Sequence, residues 1–147
     1  MDRGWWIVRP LRVAIHYQRP TIHFSIDRSA LQFGTMTFDH VAVPSNDIAQ
    51  SVEWYCTKFG ATVLYQDKTW AFLNLGGQKL ALVTPSQHPP HVAGKVTEEQ
   101  LAAASQAAGV PVDKHRDGTS GIYIHDPFGN AVELICYPAG ETVYEKK

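Results

Sequence analysis

The 147-residue chain has only two cysteines, no run of 18 apolar residues and almost no net charge. Cys56 and Cys136 form no Cys-x-x-Cys pair, a usage that fits a reducing, cytoplasmic setting. Neither cysteine stands beside an obvious base or cation, so both read as small buried hydrophobes rather than nucleophiles. The lack of a long apolar run excludes a membrane-spanning helix. The apolar start Trp5-Trp6-Ile7-Val8 is cut by Arg9-Pro10 and Arg12, which leaves too short a segment for a secretory signal. A net charge of -1 gives no electrostatic case for a nucleic-acid or anionic-membrane partner.

What is present describes an ordinary globular protein, 44% hydrophobic and 18% charged, long enough for one domain with a self-sufficient core. Charge is unevenly placed. Residues 1–35 carry five Arg and two Asp (+3), and residues 36–147 carry eight Lys/Arg and twelve Asp/Glu (-4). The leader alternates aromatic and β-branched residues with Arg and Pro and has room for one or two short strands. Met36 stands directly before the first regular unit, which raises the hypothesis that it is the natural start and residues 1–35 an extension of unassigned role.

The tripeptide His-Val-Ala occurs at His40-Val41-Ala42 and again at His91-Val92-Ala93. Each copy opens a segment of one plan. Matching landmarks are offset by 51 residues (His40 to His91), 49 (Gly60 to Gly109) and 52 (Gly77 to Gly129), the mark of a duplicated unit of about fifty residues. In the first unit Phe38 to Val43 reads as a strand closed by Pro44. Ser45 is placed to cap a helix in which Ile48, Val52, Tyr55 and Phe59 recur at helical spacing before Gly60 stops it. Strands follow near 61–66, 69–75 and 78–84. In the second unit a strand over 91–96 leads to the capping box Thr97-Glu98-Glu99-Gln100, then a helix to Ala108 with Gly109 as its stop. Strands near 110–115, 120–125 and 130–137 complete it, the last two joined by the turn-forming Asp126-Pro127-Phe128-Gly129-Asn130. The plan is βαβββ twice, an α+β fold.

Strand side chains alternate between faces, so His40 and Ala42 share one face while Val41 and Val43 meet the helix. His91 and Ala93 repeat this arrangement. In the closing strand Glu133 lies with Ala131 and Ile135, and Val132, Leu134 and Cys136 face the core. Two imidazoles and a carboxylate on the face away from the helices are a ligand set for a divalent cation.

The segments Phe38-Asp39-His40-Val41-Ala42-Val43, Asp47 to Tyr55 with Phe59-Gly60, His91-Val92-Ala93, and Tyr123-Ile124-His125-Asp126-Pro127-Phe128-Gly129-Asn130-Ala131-Val132-Glu133-Leu134 together resemble the vicinal oxygen chelate superfamily. This superfamily includes glyoxalase I, fosfomycin-resistance proteins, extradiol dioxygenases, methylmalonyl-CoA epimerase and bleomycin-resistance proteins. The closing hairpin is the most specific match. The resemblance covers about residues 36–138, with module one at about 36–85, module two at about 90–138, and residues 139–147 as a tail. It implies two tandem modules forming a cupped mixed sheet with helices on the outer face.

The resemblance also implies one divalent metal ion (Fe, Mn, Ni or Zn) held by His40, His91 and Glu133, a small substrate that chelates it through adjacent oxygens, and a homodimer. The fourth ligand place falls on Ala81, which cannot bind a metal, so glyoxalase I activity is disfavoured relative to lyase or isomerase, transferase or dioxygenase chemistry. His115 stands as a candidate acid/base and Arg116 as a candidate contact for an anionic substrate, against the alternative that both lie in a solvated turn. Tyr123, ten residues before Glu133, is at a place where dioxygenases of the superfamily use a tyrosine. Trp70 reads as a substrate-binding cup wall, and Phe72 and Trp54 as core or cup wall. His88 reads as an exposed loop residue and His125 as bonded locally to Asp126. The rival to an enzyme is a metal-free protein that sequesters a small molecule, resembling bleomycin-resistance proteins.

Overall fold

The structure, a computed structural model, describes residues 34–140. The strands expected in the leader, and the tail beyond Gly140, lie outside them. The described chain runs β1 (Thr37–Pro44), α1 (Ile48–Phe59), β2 (Thr62–Gln66), β3 (Trp70–Leu75), β4 (Gln78–Val83), β5 (His91–Lys95), α2 (Glu98–Ala108), β6 (Asp113–Lys114), β7 (Ser120–His125) and β8 (Ala131–Cys136). This is the doubled βαβββ plan. All eight strands join one mixed sheet in the order β2-β3-β4-β1-β5-β8-β7-β6. Within each module the first strand pairs parallel with the last, β1 with β4 and β5 with β8, and the modules are joined by the antiparallel pair β1 and β5. The cup is therefore built within one chain.

Both helices begin on a side-chain cap and end on a backbone one. Thr97 and Gln100 form the expected capping box of α2. Asp47, rather than the expected Ser45, caps α1 by accepting from the Gln50 amide at 2.9 Å. Ser45 is instead buried and its hydroxyl pairs with that of Ser51 at 2.8 Å. Both helices stop at a glycine in the left-handed region, Gly60 and Gly109 at φ 66°, where a Cβ would be strained.

Helix α1 packs on β2, β3 and β4, and α2 on β7 and β8. Ile48, Val52, Leu73, Leu80 and Leu82 make the first core, and Leu101, Ala104, Ile122 and Leu134 the second. One aromatic residue departs from expectation. Trp54 (48% exposed) packs edge to face with Phe59 (60%) on the outside of α1 rather than entering the core or cup. The strand expected over 110–115 contracts to Asp113–Lys114, since Pro111 lacks the amide a ladder needs.

Candidate metal centre

Strand register explains why residues 93 positions apart in sequence can meet. Across β1, β5 and β8, His40 lies opposite Ala93 and Ala93 opposite Glu133; in the next row Ala42 lies opposite His91 and His91 opposite Ala131. His91 thus lies between two alanines and His40 and Glu133 share one, Ala93, between them; Ala42, Ala93 and Ala131 are all buried. His40 and Glu133 start two strand spacings apart, about 10 Å, yet their heads meet across the intervening Ala93. His40 Nε2 lies 3.2 Å from His91 Nε2 and 3.7 Å from Glu133 Oε2, and His91 Nε2 lies 3.3 Å from the same oxygen. All three side chains are buried.

The ring nitrogens turned away from this cluster fix its chemistry. His91 Nδ1 is 2.8 Å from the Pro89 carbonyl, which can only accept, so that nitrogen carries the proton. His40 Nδ1 donates at 2.8 Å to Asp39, whose carboxylate also accepts from Tyr137 Oη at 2.8 Å and Lys79 Nζ at 3.2 Å. Burial pushes the Asp39 carboxyl up, but the bonds from His40 and Tyr137 and the Lys79 charge outweigh it and hold it at about 2. In the neutral form, which is the one that binds a metal, both imidazoles therefore present bare Nε2 lone pairs to each other and to a carboxylate oxygen. Burial likewise raises Glu133, but the His91, His40 and His115 imidazoles around it outweigh that and hold it below the ordinary carboxylate range. Three lone pairs at this spacing repel unless positive charge sits between them. A divalent ion bound at about 2.1 Å by each donor spaces neighbouring donors by about 3.0 Å in an octahedron and about 3.4 Å in a tetrahedron. The donor set fits such an ion in both chemistry and spacing.

A profile of the Glyoxalase family, described as the glyoxalase/bleomycin resistance protein/dioxygenase superfamily, matches residues 37–134. The chain belongs to this superfamily. No curated protein matches it at a significant level. Among solved structures, methylmalonyl-CoA epimerase from Mycobacterium tuberculosis is similar with a TM-score of 0.56 and 17% identity, covering 69% of this chain and 88% of the epimerase. A variant of the Streptomyces coelicolor epimerase in complex with 2-nitronate-propionyl-CoA gives 0.58 and 21%, over 73% and 99% of the two chains. A superfamily member from Vibrio splendidus 12B01 gives 0.53 and 14%, over 69% and 99%. At these identities the structural likeness speaks for the glyoxalase-superfamily fold.

The cavity at the centre of this superfamily fold has a volume of about 80 Å³ and opens to solvent at its mouth. Trp70, Phe72, Ala81 and Val83 line one wall, and His88, His115, Arg116 and Tyr123 the other. Ala81 lines the cavity with its methyl group. Phe72 meets the His40 ring edge to face at 5.3 Å between centroids, and Trp70 stacks on Tyr65 at 4.6 Å. His115, partly buried, and Arg116, exposed, both border the cavity from the turn that follows β6. His115 Nε2 lies 3.7 Å from Glu133 Oε1. Arg116 reaches across the mouth to Asp67 at 3.3 Å and Thr69 at 3.0 Å. The Tyr123 ring packs on His91 at 5.1 Å, and burial together with the Glu133 charge raises its phenol far above the ordinary tyrosine value.

Several residues were misread or missed. His88, expected in an exposed loop, is half-buried in the wall with Nδ1 3.0 Å from Tyr123 Oη; burial and neighbouring His115 lower its pKa. His125 is exposed, and Asp126 accepts instead from the amides of Phe128 and Asn130 and from the Asn130 side chain. Asp39 was not singled out because strict alternation puts it on the face opposite His40. A β-bulge intervenes: Phe38 pairs with Gly94 but His40 with Ala93, so β1 spends an extra residue there and Asp39 reaches His40 from the same side. Tyr137 lines the cavity and bonds Asp39, and Lys79 reaches both Asp39 and Tyr137.

Proposed function

We propose that the protein is a divalent-metal-dependent enzyme acting on a small ligand that presents two adjacent oxygens. The observation that carries this reading is the convergence of two imidazole Nε2 atoms and one carboxylate oxygen at a buried point, each imidazole oriented by an acceptor on its Nδ1. His40, His91 and Glu133 would hold the ion, which when bound supplies Lewis acidity toward ligand oxygens. The chain's own residues supply the rest. Trp70 and Phe72 form an apolar wall that excludes water. Arg116, at the mouth, faces an anionic arm of the ligand. His115 Nε2, beside Glu133, is within reach of a proton on the bound ligand. Tyr123, kept protonated by its surroundings, offers a phenol O–H. Ala81 at the fourth position argues against glyoxalase I chemistry and for a three-ligand centre, which resembles that of the superfamily's fosfomycin-resistance transferases and extradiol dioxygenases.

The test is elemental analysis of protein prepared with and without oxygen, alongside His91→Ala. About one equivalent of Fe, Mn, Ni or Zn in the wild type and little in the variant supports the reading. Iron found only without oxygen assigns dioxygen chemistry; manganese, nickel or zinc assigns isomerase, lyase or transferase chemistry. Protein that carries no metal and has no affinity for any of the four ions overturns the reading in favour of metal-free sequestration of a small molecule.

A further inference from the structure

His115 has a supporting shell of its own. The tight turn from His115 to Thr119 is closed by the His115 amide on the Thr119 carbonyl at 2.9 Å and the Gly118 amide on the His115 carbonyl at 3.1 Å. Within it Asp117 Oδ1 accepts both the Thr119 amide at 2.9 Å and the Thr119 hydroxyl at 2.7 Å. Thr119 is fully buried, and its Oγ1 also lies 2.9 Å from His115 Nδ1. A hydroxyl has one hydrogen. Because that hydrogen goes to the carboxylate, the oxygen can only accept from His115, and Nδ1 must carry the ring proton. The bare Nε2 then faces Glu133 Oε1 at 3.7 Å, a spacing at which two acceptors have no bond of their own. Space for this approach exists because residue 121 is glycine: a Cβ there would stand 3.2 Å from His115 Cε1 and 3.3 Å from Glu133 Oε1.

We propose that Thr119 and Asp117 are positioning residues that hold His115 as a proton acceptor at rest, its Nε2 bare and aimed at the edge of the donor cluster. The inference rests on the reading of the cup as a chelating site for what the base acts on, and the tautomer itself does not. The chemical step it implies is removal of a proton from the bound ligand. His115 Nε2 forms a bond to that hydrogen, the C–H or O–H bond breaks, and its electron pair stays on the ligand. The ring becomes an imidazolium that keeps its Nδ1–H on Thr119, with the Asp117 carboxylate behind the hydroxyl to offset the new charge. The ligand class is therefore one with an acidic C–H or O–H next to its chelating oxygens.

The experiment is long-range 1H–15N correlation on the full chain with labelled histidine, metal-free and zinc-loaded, with the His115 signals assigned by His115→Gln. The expected spectrum shows His115 protonated at Nδ1 in the wild type and in Thr119→Ser. Thr119→Val removes the acceptor, and Asp117→Ala frees the threonine hydrogen to turn toward the ring; each is expected to shift the tautomer ratio about tenfold or more toward Nε2–H, the worth of one hydrogen bond. Asp117→Ala keeps the test open if the buried valine variant does not fold. A wild-type ring protonated at Nε2, or unchanged tautomers in folded Thr119→Val or Asp117→Ala, overturns the proposal. Zinc titration of the same samples separates the two readings: tight zinc binding with the wrong tautomer sinks the relay alone, and the right tautomer with no zinc binding sinks the metal centre alone.

Discussion

Replacing Asp39 with Asn tests whether the metal centre is assembled from outside its ligands. The carboxylate is 5% exposed and accepts from His40 Nδ1, Tyr137 Oη and Lys79 Nζ. Its fall from 3.8 to about 2 corresponds to about 2 kcal/mol of charge-dependent stabilisation, and near-complete burial leaves little solvent screening to discount. Asn keeps an oxygen for one of the three donors but loses the charge. Denaturant unfolding of metal-free Asp39→Asn at neutral pH is expected to show a loss of about 2 kcal/mol. The sign with pH follows from the depressed value. The contribution is complete above the ordinary carboxylate pKa and is lost as pH falls from 3.8 through about 2, so the gap between wild type and variant closes over that window.

The same substitution loosens the hold on the His40 tautomer. An amide can donate as well as accept, so Nε2 is no longer reliably bare, and outer partners of this kind are worth about 10–100-fold in metal affinity. Competition titration with zinc should place Asp39→Asn in that range below wild type, with His91→Ala lower still. A variant that binds zinc as tightly as wild type, while losing the predicted stability, would mean that Asp39 serves the fold and not the ligand. The orientation argument for His40 would then be wrong.

Three further substitutions separate the roles of fold and site. Gly121→Ala puts a Cβ 3.1 Å from the Leu134 carbonyl, 3.2 Å from His115 Cε1 and 3.3 Å from Glu133 Oε1, so it should move the His115 Nε2 resonance and weaken zinc binding together, read from the same spectra and titrations; a variant with both unchanged would show that the close approach of His115 and Glu133 does not depend on this glycine. Asp47→Ala should cost about 1 kcal/mol in urea unfolding through loss of the α1 cap; an equal or larger loss attributable to helix fraying in Ser45→Ala would restore Ser45 as the cap. Leu73→Ala removes a fully buried side chain from the first core and should cost about 3 kcal/mol, with zinc affinity retained if the cup is anchored by strand pairing rather than by that core.

The parts of this protein that could be read from its sequence are those written in periodicity. The βαβββ repeat, the Thr97 capping box, the two glycine stops and the faces of His40, His91 and Glu133 all follow from alternation or helical spacing, and the structure places them accordingly. The unread parts sit where periodicity breaks or where contacts are set by curvature. The bulge at Asp39 shifts a charged residue onto the cup face and supplies the partner of His40, and no local pattern announces it. His88 stands between Gln87 and Pro89-Pro90 in what reads as linker, yet the strand that follows carries it against Tyr123, 35 residues away. Arg116 finds Asp67 and Thr69 only because the two modules close into one cup. The ligands of the site are thus legible as a repeat, while the groups that choose their protonation come from irregularities. Asp39 acts on His40 through a bulge, the Pro89 carbonyl on His91 through a loop, and Thr119 on His115 through a tight turn. Differences in chemistry between proteins with the same three ligands are then expected to lie in these irregular positions, because each fixes which nitrogen is free to bind or to take a proton.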